Sequence, residues 1–223
     1  MTDHLIEPHG GELVDLLVSE ERAEEIKEAS RDWASWDLTP RQLCDLELLL
    51  TGGFSPLRGF MNRADFDSVC DHMRLADDTL WPIPITLAVT EELAEQVSKG
   101  DVVALRDEEG VMLAAIHVDD LWEHDREKDA ELVYGTRNED HPGVAHIYHR
   151  TNNISLGGRL EGVQLPSHYD FPSLRRTPAQ LRRDFARLGW RNAVAFQTRN
   201  PMHRAHYELT LRAARDLEAN LLI

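Results

Sequence analysis

Apolar residues divide the first third of the chain into helices. Helical spacing relates four leucines on one face: Leu43, Leu46, Leu49 and Leu50. Thr39 and Pro40 suit the start of that helix and Gly52 suits its end, so we expect a helix of about twelve residues. We predict an earlier acidic helix after Ser19 that runs to Ala29, and a later amphipathic helix around residues 65–73. The apolar loop 53–61 between the last two is predicted to be a packed connection.

From Trp81 onward the pattern changes to short strands. Alternating or apolar runs separated by turn residues predict strands over 82–89, 101–106 and 111–118. Further short strands are expected between 133 and 156, and the run 156–160 is expected to close the unit. The acidic stretch 123–131 is interpreted as a solvated face. A compact β-rich unit is therefore predicted.

The end of the chain has the order of elements that is typical of a parallel α/β sheet. Prolines at 166, 172 and 178 mark a linker, and a helix over 179–188 follows. The apolar run 192–196 predicts a buried strand, Asn200-Pro201 predicts the start of a helix, and residues 221–223 predict a second strand. We therefore expect two domains, over 1–170 and 171–223, the second opening with a strand–helix–strand unit.

Composition indicates a globular protein. The 223 residues are 42% hydrophobic and 29% charged, and no apolar run approaches the ~20 residues that span a bilayer. The first ten residues lack the basic and apolar segments of a signal peptide, so we expect a soluble, cytoplasmic protein. Cys44 and Cys70 are too few for a disulfide scaffold and form no C-x-x-C pair.

Charge is distributed unevenly along the chain. The net charge of −16 argues against a nucleic-acid binder, whose affinity comes mostly from Lys and Arg on phosphates. Residues 171–223 nevertheless carry ten arginines against four acidic residues, whereas residues 1–170 carry 14 basic and 36 acidic ones. The basic end suggests that this part of the chain meets an anion, although a solvated arginine face would give the same charge.

The candidate chemistry lies between the first strand of the last segment and its helix. Ligands of parallel sheets bind beyond the carboxyl ends of strands, where the helix N-terminus favours an anion. Arg199 adds a guanidinium that matches sulfate or phosphate, and Gln197 and Thr198 add neutral donors. His203 and His206 are three residues apart and share a helix face. No Walker A or G-x-G-x-x-G motif occurs, so side chains and a helix end, instead of a Gly-rich loop, must hold any phosphate.

Metal binding is a weaker interpretation of the histidines. His203 and His206 lack the H-E-x-x-H spacing and its glutamate. His141, His146 and His149 cluster in sequence, but no cysteine or carboxylate pattern completes a site. We assign no metal to either group.

The same stretch resembles a known family. Residues 197–206 read QTRNPMHRAH, which is similar to the signature of the ATP sulfurylases, the sulfate adenylyltransferases. Further segments resemble that family in order: Pro8–Gly11, Asp45–Glu47, Gly53–Leu57, Gly59–Met61, Leu80–Thr86, Gly135–Thr136 and His141–Val144. The resemblance therefore covers most of the chain.

The resemblance implies an α+β protein in two parts. Residues 1–170 would form a PUA-like, β-barrel-type N-terminal domain with helices, and residues 171–223 would begin a Rossmann-like α/β nucleotidyltransferase domain. Its H-x-x-H is related to the H-x-G-H of other nucleotidyltransferases, with Ala205 in the glycine place. The family's G-R-D-H-A-G-type segment and a further sulfate-binding arginine do not occur here, so the chain is expected to be part of a longer enzyme.

The implied reaction is ATP plus sulfate giving adenosine 5′-phosphosulfate and pyrophosphate, or the reverse. Sulfate would attack the α-phosphorus in line, with Mg²⁺ carried by the ATP phosphates. Gln197 and Arg199 would hold sulfate, and Thr198 and Asn200 would orient the reacting groups. His203 and His206 would stabilise charge at the α,β-phosphates. The expected partners are these small molecules and further copies of the complete chain, without nucleic acid or membrane.

Two other interpretations stay open. A non-catalytic PUA-like binding module needs no complete catalytic sheet, but the acidic residues 1–170 disfavour RNA as its ligand. A different nucleotidyltransferase would share the two histidines without needing the residues 197–200. Sulfate-dependent release of pyrophosphate separates the three.

Overall fold

The computed structural model describes residues 5–223, so the first four residues of the predicted N-terminal domain lie outside it. The helices are α1 (Glu20–Ala29), α2 (Pro40–Thr51), α3 (Arg63–His72), α4 (Glu91–Ala94), α5 (Arg126–Tyr134), α6 (Pro142–Arg150), α7 (Pro178–Leu188) and α8 (Arg204–Asp216). The strands are β1 (Ala34–Asp37), β2 (Gly59–Phe60), β3 (Leu87–Val89), β4 (Val102–Arg106), β5 (Met112–Glu123), β6 (Ile154–Gly162), β7 (Ala193–Ala195) and β8 (Asn220–Leu222). The predicted α+β class is confirmed.

Six strands form one mixed sheet. Its order is β1-β4-β5-β6-β2, and β3 pairs with another part of β6. β1 and β4 are parallel, and the other pairs are antiparallel. No pairing among the described strands joins β1 to β2, so the sheet is open, whereas the resemblance implied a barrel-type domain.

The long pair β5 and β6 forms the centre of the sheet. Nine residue pairs link them, from Ala114 opposite Gly162 to Glu123 opposite Ile154. A Cβ at Gly158 would lie 2.0 Å from the carbonyl oxygen of His117, so glycine is required for the close approach of the strands. The sequence prediction ended the earlier strand at 118, and the structure extends it by five residues.

Helices cover both faces of this sheet. The larger core includes Leu46, Leu49 and Leu50 of α2 against Ile116 and Leu156 of the sheet. A smaller cluster joins Ile26 of α1 to Ala104, Met112 and Ala115. The leucine stripe of α2 therefore lies in the core, as its spacing predicted.

The predicted helix starts are explained by capping. Ser19, Thr39 and Thr177 each accept a hydrogen bond from a backbone N–H three residues later. Gly52 and Gly189 end their helices with φ of 81° and 71°, the left-handed conformation that glycine adopts readily. These boundaries of α1, α2 and α7 are confirmed.

Three predictions for residues 82–156 were wrong or only partly right. The stretch between 133 and 156 holds the end of α5 and all of α6 before β6 begins. The acidic stretch 123–131 is largely α5, where Asp129 and Ala130 are buried, so it is not only a solvated face. The strand predicted over 82–89 is confined to Leu87–Val89, because Pro82 and Pro84 have no N–H to give to a sheet.

The last segment forms a separate small sheet. β7 and β8 pair in parallel, and α8 connects them along the chain, as predicted. The side chains around this sheet are largely exposed: Leu188, Tyr207, Leu209, Leu217 and Ile223 are each more than half exposed. Within residues 5–223, no helix is both long and apolar enough to cross a bilayer.

Candidate functional site

The residues predicted to act on an anion lie in the loop between β7 and α8. Gln197 follows the carboxyl end of β7 by two residues, and α8 begins at Arg204. The backbone N–H of Phe196 donates to the carbonyl of Leu222 at 2.9 Å, which fixes the start of the loop beside β8. The loop thus occupies the edge of a parallel sheet where ligands of such sheets bind.

The predicted helix start at Asn200-Pro201 was wrong. Thr198 Oγ1 accepts from the Asn200 N–H at 3.1 Å and donates to the Asn200 carbonyl at 2.9 Å. This local turn occupies the backbone of Asn200, which therefore does not act as the N-cap. α8 begins three residues beyond Pro201, and His203 occupies the N-cap position.

His203 and His206 stay together despite the shifted helix start. Their ring centroids are 5.4 Å apart with the planes at 90°. The His203 N–H approaches Nδ1 of His206 at 3.5 Å, a long hydrogen bond. The Phe196 ring lies 5.5 Å from that of His206. Nδ1 of His206 therefore acts as an acceptor inside the loop, which leaves Nε2 as the position for its proton when the ring is neutral.

Arg199 is exposed and available to an external anion. The ion pairs formed after residue 170 are those of Arg175, Arg176 and Arg187. Among the described residues, Arg199 joins none of them and makes no hydrogen bond to a side chain. Gln197 and Asn200 are also exposed, while Thr198 and His206 are half-buried. The arrangement presents a guanidinium, two amides and two imidazoles in the loop that leads to the positive end of a thirteen-residue helix.

Of the three histidines that cluster in sequence, His141 and His149 have local roles, and His146 lines a cleft of the N-terminal part. His141 accepts from the Gly143 N–H at the start of α6, and its ring lies 4.8 Å from that of Tyr134. His149 contacts the Glu139 carboxylate at 2.8 Å. Over residues 5–223 no group of three or more potential ligands gathers at one point.

One concave site was missed by sequence reasoning. A cleft of about 290 Å³ lies in the N-terminal part, between the start of α2 and helices α5 and α6. Arg41 and Arg150 line it, and they are far apart in the sequence. Nothing in the linear pattern signals that α2 and α6 line the same cleft.

Two family models match the chain. A PUA-like domain matches residues 6–165, and an ATP-sulfurylase model matches residues 172–223. The second range contains β7, the complete loop between β7 and α8, α8 itself and β8.

Named relatives and a solved structure are similar over almost all of the chain. A sulfate adenylyltransferase of Saccharomyces cerevisiae is 48% identical over 97% of this chain, which covers 43% of the yeast protein. One of Aspergillus fumigatus is 48% identical over 97% of this chain and 38% of its own length. The solved structure of a hexameric APS kinase from Thiobacillus denitrificans superposes with a TM-score of 0.81 at 41% identity, over 98% of this chain and 39% of that one. The chain therefore spans less than half the length of these relatives.

Proposed function

Because the chain belongs to the ATP-sulfurylase family, we propose that the protein it comes from is a sulfate adenylyltransferase of sulfate assimilation. It joins ATP and sulfate to give adenosine 5′-phosphosulfate and pyrophosphate, or runs the reverse reaction. The single observation that carries this proposal is the loop between β7 and the start of α8, which carries the exposed Arg199 together with the close ring pair of His203 and His206.

In the forward reaction one sulfate oxygen attacks the α-phosphorus of ATP. A phosphorus–oxygen bond to sulfate forms as the bond between the α-phosphorus and the α,β-bridging oxygen breaks, and pyrophosphate leaves with that oxygen. No proton has to be removed from the nucleophile, because sulfate is already an anion. Catalysis then depends on positioning and on stabilising charge.

Arg199 and Gln197 hold sulfate in this proposal. The guanidinium of Arg199 is exposed and makes no ion pair with the described residues, so binding sulfate breaks no existing contact. Its planar fork matches two sulfate oxygens, and Gln197 supplies an amide donor from the same loop. Sulfate binding is also favoured by the positive end of α8.

Thr198 and Asn200 orient the reacting groups by different means. The hydroxyl of Thr198 is committed to the backbone of Asn200, so Thr198 acts as a positioning residue that shapes the loop. The side chain of Asn200 is exposed and remains available to a substrate oxygen. We therefore assign substrate contact to Asn200 and loop geometry to Thr198.

His203 and His206 stabilise the charge that grows on the leaving pyrophosphate. Their rings are close enough to contact one phosphate group from two sides. The acceptor role of Nδ1 in His206 directs its Nε2 proton away from the loop backbone and toward a ligand. Mg²⁺ enters as part of the substrate, on the ATP phosphates, where it neutralises charge on the same groups.

We propose a division between residues 170 and 171 and an oligomeric complete protein. The division is supported by the separate sheets on either side of it and by the two matched ranges. A homo-oligomer is suggested by the similarity to the hexameric protein of Thiobacillus denitrificans. Light scattering on the purified complete protein measures its assembly.

The proposed cell compartment is the cytoplasm, because the reaction uses ATP.

The test measures pyrophosphate release by the complete protein with ATP, with and without inorganic sulfate. The proposal expects release only when sulfate is present. Release that is independent of sulfate would favour a different nucleotidyltransferase. No release with any oxyanion would favour a non-catalytic PUA-like module.

A further inference from the structure

The cleft of the N-terminal part has the shape of a small-molecule site. Its volume of about 290 Å³ approaches the range of roughly 300–1,000 Å³ typical of ligand pockets. Apolar side chains form much of its wall, including Ile83, Pro84, Val133, Tyr134 and Ile147. This site lies in the N-terminal part of the chain, outside the loop 197–206.

One wall is held in place by packing. The ring of Tyr134 lies over Gly143, where a Cβ would come within 2.5 Å of its Cζ, and against the His141 ring at 4.8 Å. Glycine at 143 thus makes room for this aromatic wall. A wall that is rigid before binding lowers the entropy cost of holding a ligand.

The polar floor of the cleft is already satisfied by the protein. His124 contacts Asp129 Oδ2 through Nδ1 at 2.8 Å and Ser155 Oγ through Nε2 at 2.7 Å. This is the connectivity of a hydrolase triad, but Ser155 is 0% exposed, so no substrate carbonyl reaches its hydroxyl. The guanidinium of Arg126 also has partners within the protein, because it donates to Asn153 Oδ1 and to two backbone carbonyls. The network is structural and leaves the ligand to other groups.

Two arginines of the cleft have neither an ion pair nor a hydrogen bond among the described residues. Six arginines of the first 170 residues pair with carboxylates: Arg22, Arg31, Arg58, Arg63, Arg74 and Arg137. Arg106 and Arg126 bond to other polar groups. Within the described residues, Arg41, Arg150 and Arg159 have no such partner. Two of these three line the same cleft, in a protein with an excess of acidic residues.

The two arginines converge on one imidazole. His146 lines the cleft, and its pKa is lowered by burial and by the charges of Arg41 and Arg150. Asp45 is the opposing group: burial raises the pKa of its carboxyl, and Arg41 acts against that rise. An anion placed between the guanidiniums would relieve their mutual repulsion, at the cost of some repulsion from Asp45.

We propose that this cleft binds a small organic oxyanion whose apolar or aromatic body lies against Tyr134 and Ile147 while its anionic group contacts Arg41 and Arg150. Phosphate monoesters and carboxylates share that chemistry. The site is independent of the sulfate site proposed above.

The test uses calorimetric titration of the complete protein with phenyl phosphate. Benzoate tests a carboxylate in place of the phosphate. Inorganic phosphate tests the anionic group without an aromatic ring, and phenol tests the ring without the anionic group. Arg41→Gln and Arg150→Gln should each weaken binding of the preferred probe at least tenfold, since each removes a charge-assisted contact. Asp45→Asn should tighten it, because a nearby negative charge is lost.

Two variants serve as controls. Arg159→Gln removes an equally unpaired, exposed arginine outside the cleft and should change affinity less than twofold. Arg199→Ala should leave the titration unchanged, which separates this site from the proposed sulfate site. Melting temperatures within a few degrees of the parent protein show that the variants fold. Absence of binding by both phenyl phosphate and benzoate, or equal affinity in Arg41→Gln, Arg150→Gln and Arg159→Gln, would overturn the proposal.

Discussion

The hydrogen bonds of Glu161 predict a measurable loss of stability when its charge is removed. Arg22 on α1 donates to both carboxylate oxygens, at 3.0 and 3.2 Å, and His117 on β5 contacts the second. These contacts tie α1 to the two central strands. They lower the pKa of Glu161 from 4.5 to about 2, chiefly through the hydrogen bonds from Arg22. Glu161→Gln keeps the size of the side chain and removes its charge.

The expected magnitude follows from that pKa change. Without screening, the gap between the two values corresponds to roughly 3 kcal/mol. The Arg22 side chain is 46% exposed and that of Glu161 is 19% exposed, so solvent screening reduces our expectation to about 1–2 kcal/mol. Because the folded pKa is the lower one, this stabilisation is complete above pH 4.5 and is lost as the pH falls toward 2.

Urea unfolding of the 223-residue chain, followed by circular dichroism, checks this prediction. At pH 7, Glu161→Gln should lower the free energy of unfolding by about 1–2 kcal/mol, and the difference should shrink by more than half at pH 3. Glu25→Gln is the matched control, because Glu25 contacts the same guanidinium from a side chain that is 59% exposed. Equal stability of Glu161→Gln and the parent at pH 7, or a difference that grows on acidification, would show that these contacts do not stabilise the fold.

Further predictions concern the proposed sulfate site and the cysteines. In the complete protein, Arg199→Ala should cost about 1.5–3 kcal/mol in kcat/KM for sulfate, and Arg199→Lys should recover only part of it; unchanged sulfate kinetics would remove its anion role. His203→Asn and His206→Asn should each lower kcat with little change in ATP affinity, and the double variant should lose less than the product of the single losses; full kcat in both single variants would contradict the charge-stabilising role. Iodoacetamide at pH 8 should label exposed Cys44 well before half-buried Cys70, whose pKa is raised to about 12 by burial and nearby carboxylates, as peptide mass spectrometry measures; equal rates would argue against that environment. The 223-residue chain alone should show no turnover, because it spans only 43% of its yeast relative and its small sheet is largely exposed, and turnover equal to that of the complete protein would refute this.

Local chemistry made the helix ends of α1, α2 and α7 predictable. Thr39, for example, accepts from the Gln42 N–H, and the Gln42 side chain accepts from the Thr39 N–H in return, so four neighbouring residues specify the start of α2. Gly52 completes the other end through its positive φ. Such signals need no knowledge of the rest of the fold.

The misread stretches depend on distant partners or on competing local bonds. Val133, Tyr134 and Ile147 suit strands by propensity, yet they lie on α5 and α6, which pack against each other, and α5 also packs against α3. α8 begins later than predicted because Thr198 closes a turn on the backbone of Asn200, and these hydrogen bonds compete with helix capping.

The two candidate sites differ in the same way. The loop 197–206 is contiguous, so its residues and its place beyond a strand were predictable from the sequence. The cleft was not, because Arg41 and Arg150 come to line one cleft only when the folded chain places the start of α2 opposite α6. A contiguous motif reveals its chemistry before folding, whereas a site assembled from distant segments does not.

Labelled sulfate gives the sharpest test of the proposed reaction, because the mechanism requires a sulfate oxygen to become bonded to the α-phosphorus. The complete protein is incubated with ATP, Mg²⁺ and ¹⁸O-sulfate, and the phosphosulfate product is examined by ³¹P NMR. The mechanism predicts an isotope shift on the adenylyl phosphorus, with pyrophosphate formed in equal amount and free of label. Pyrophosphate release without a labelled adenylyl phosphorus would contradict it.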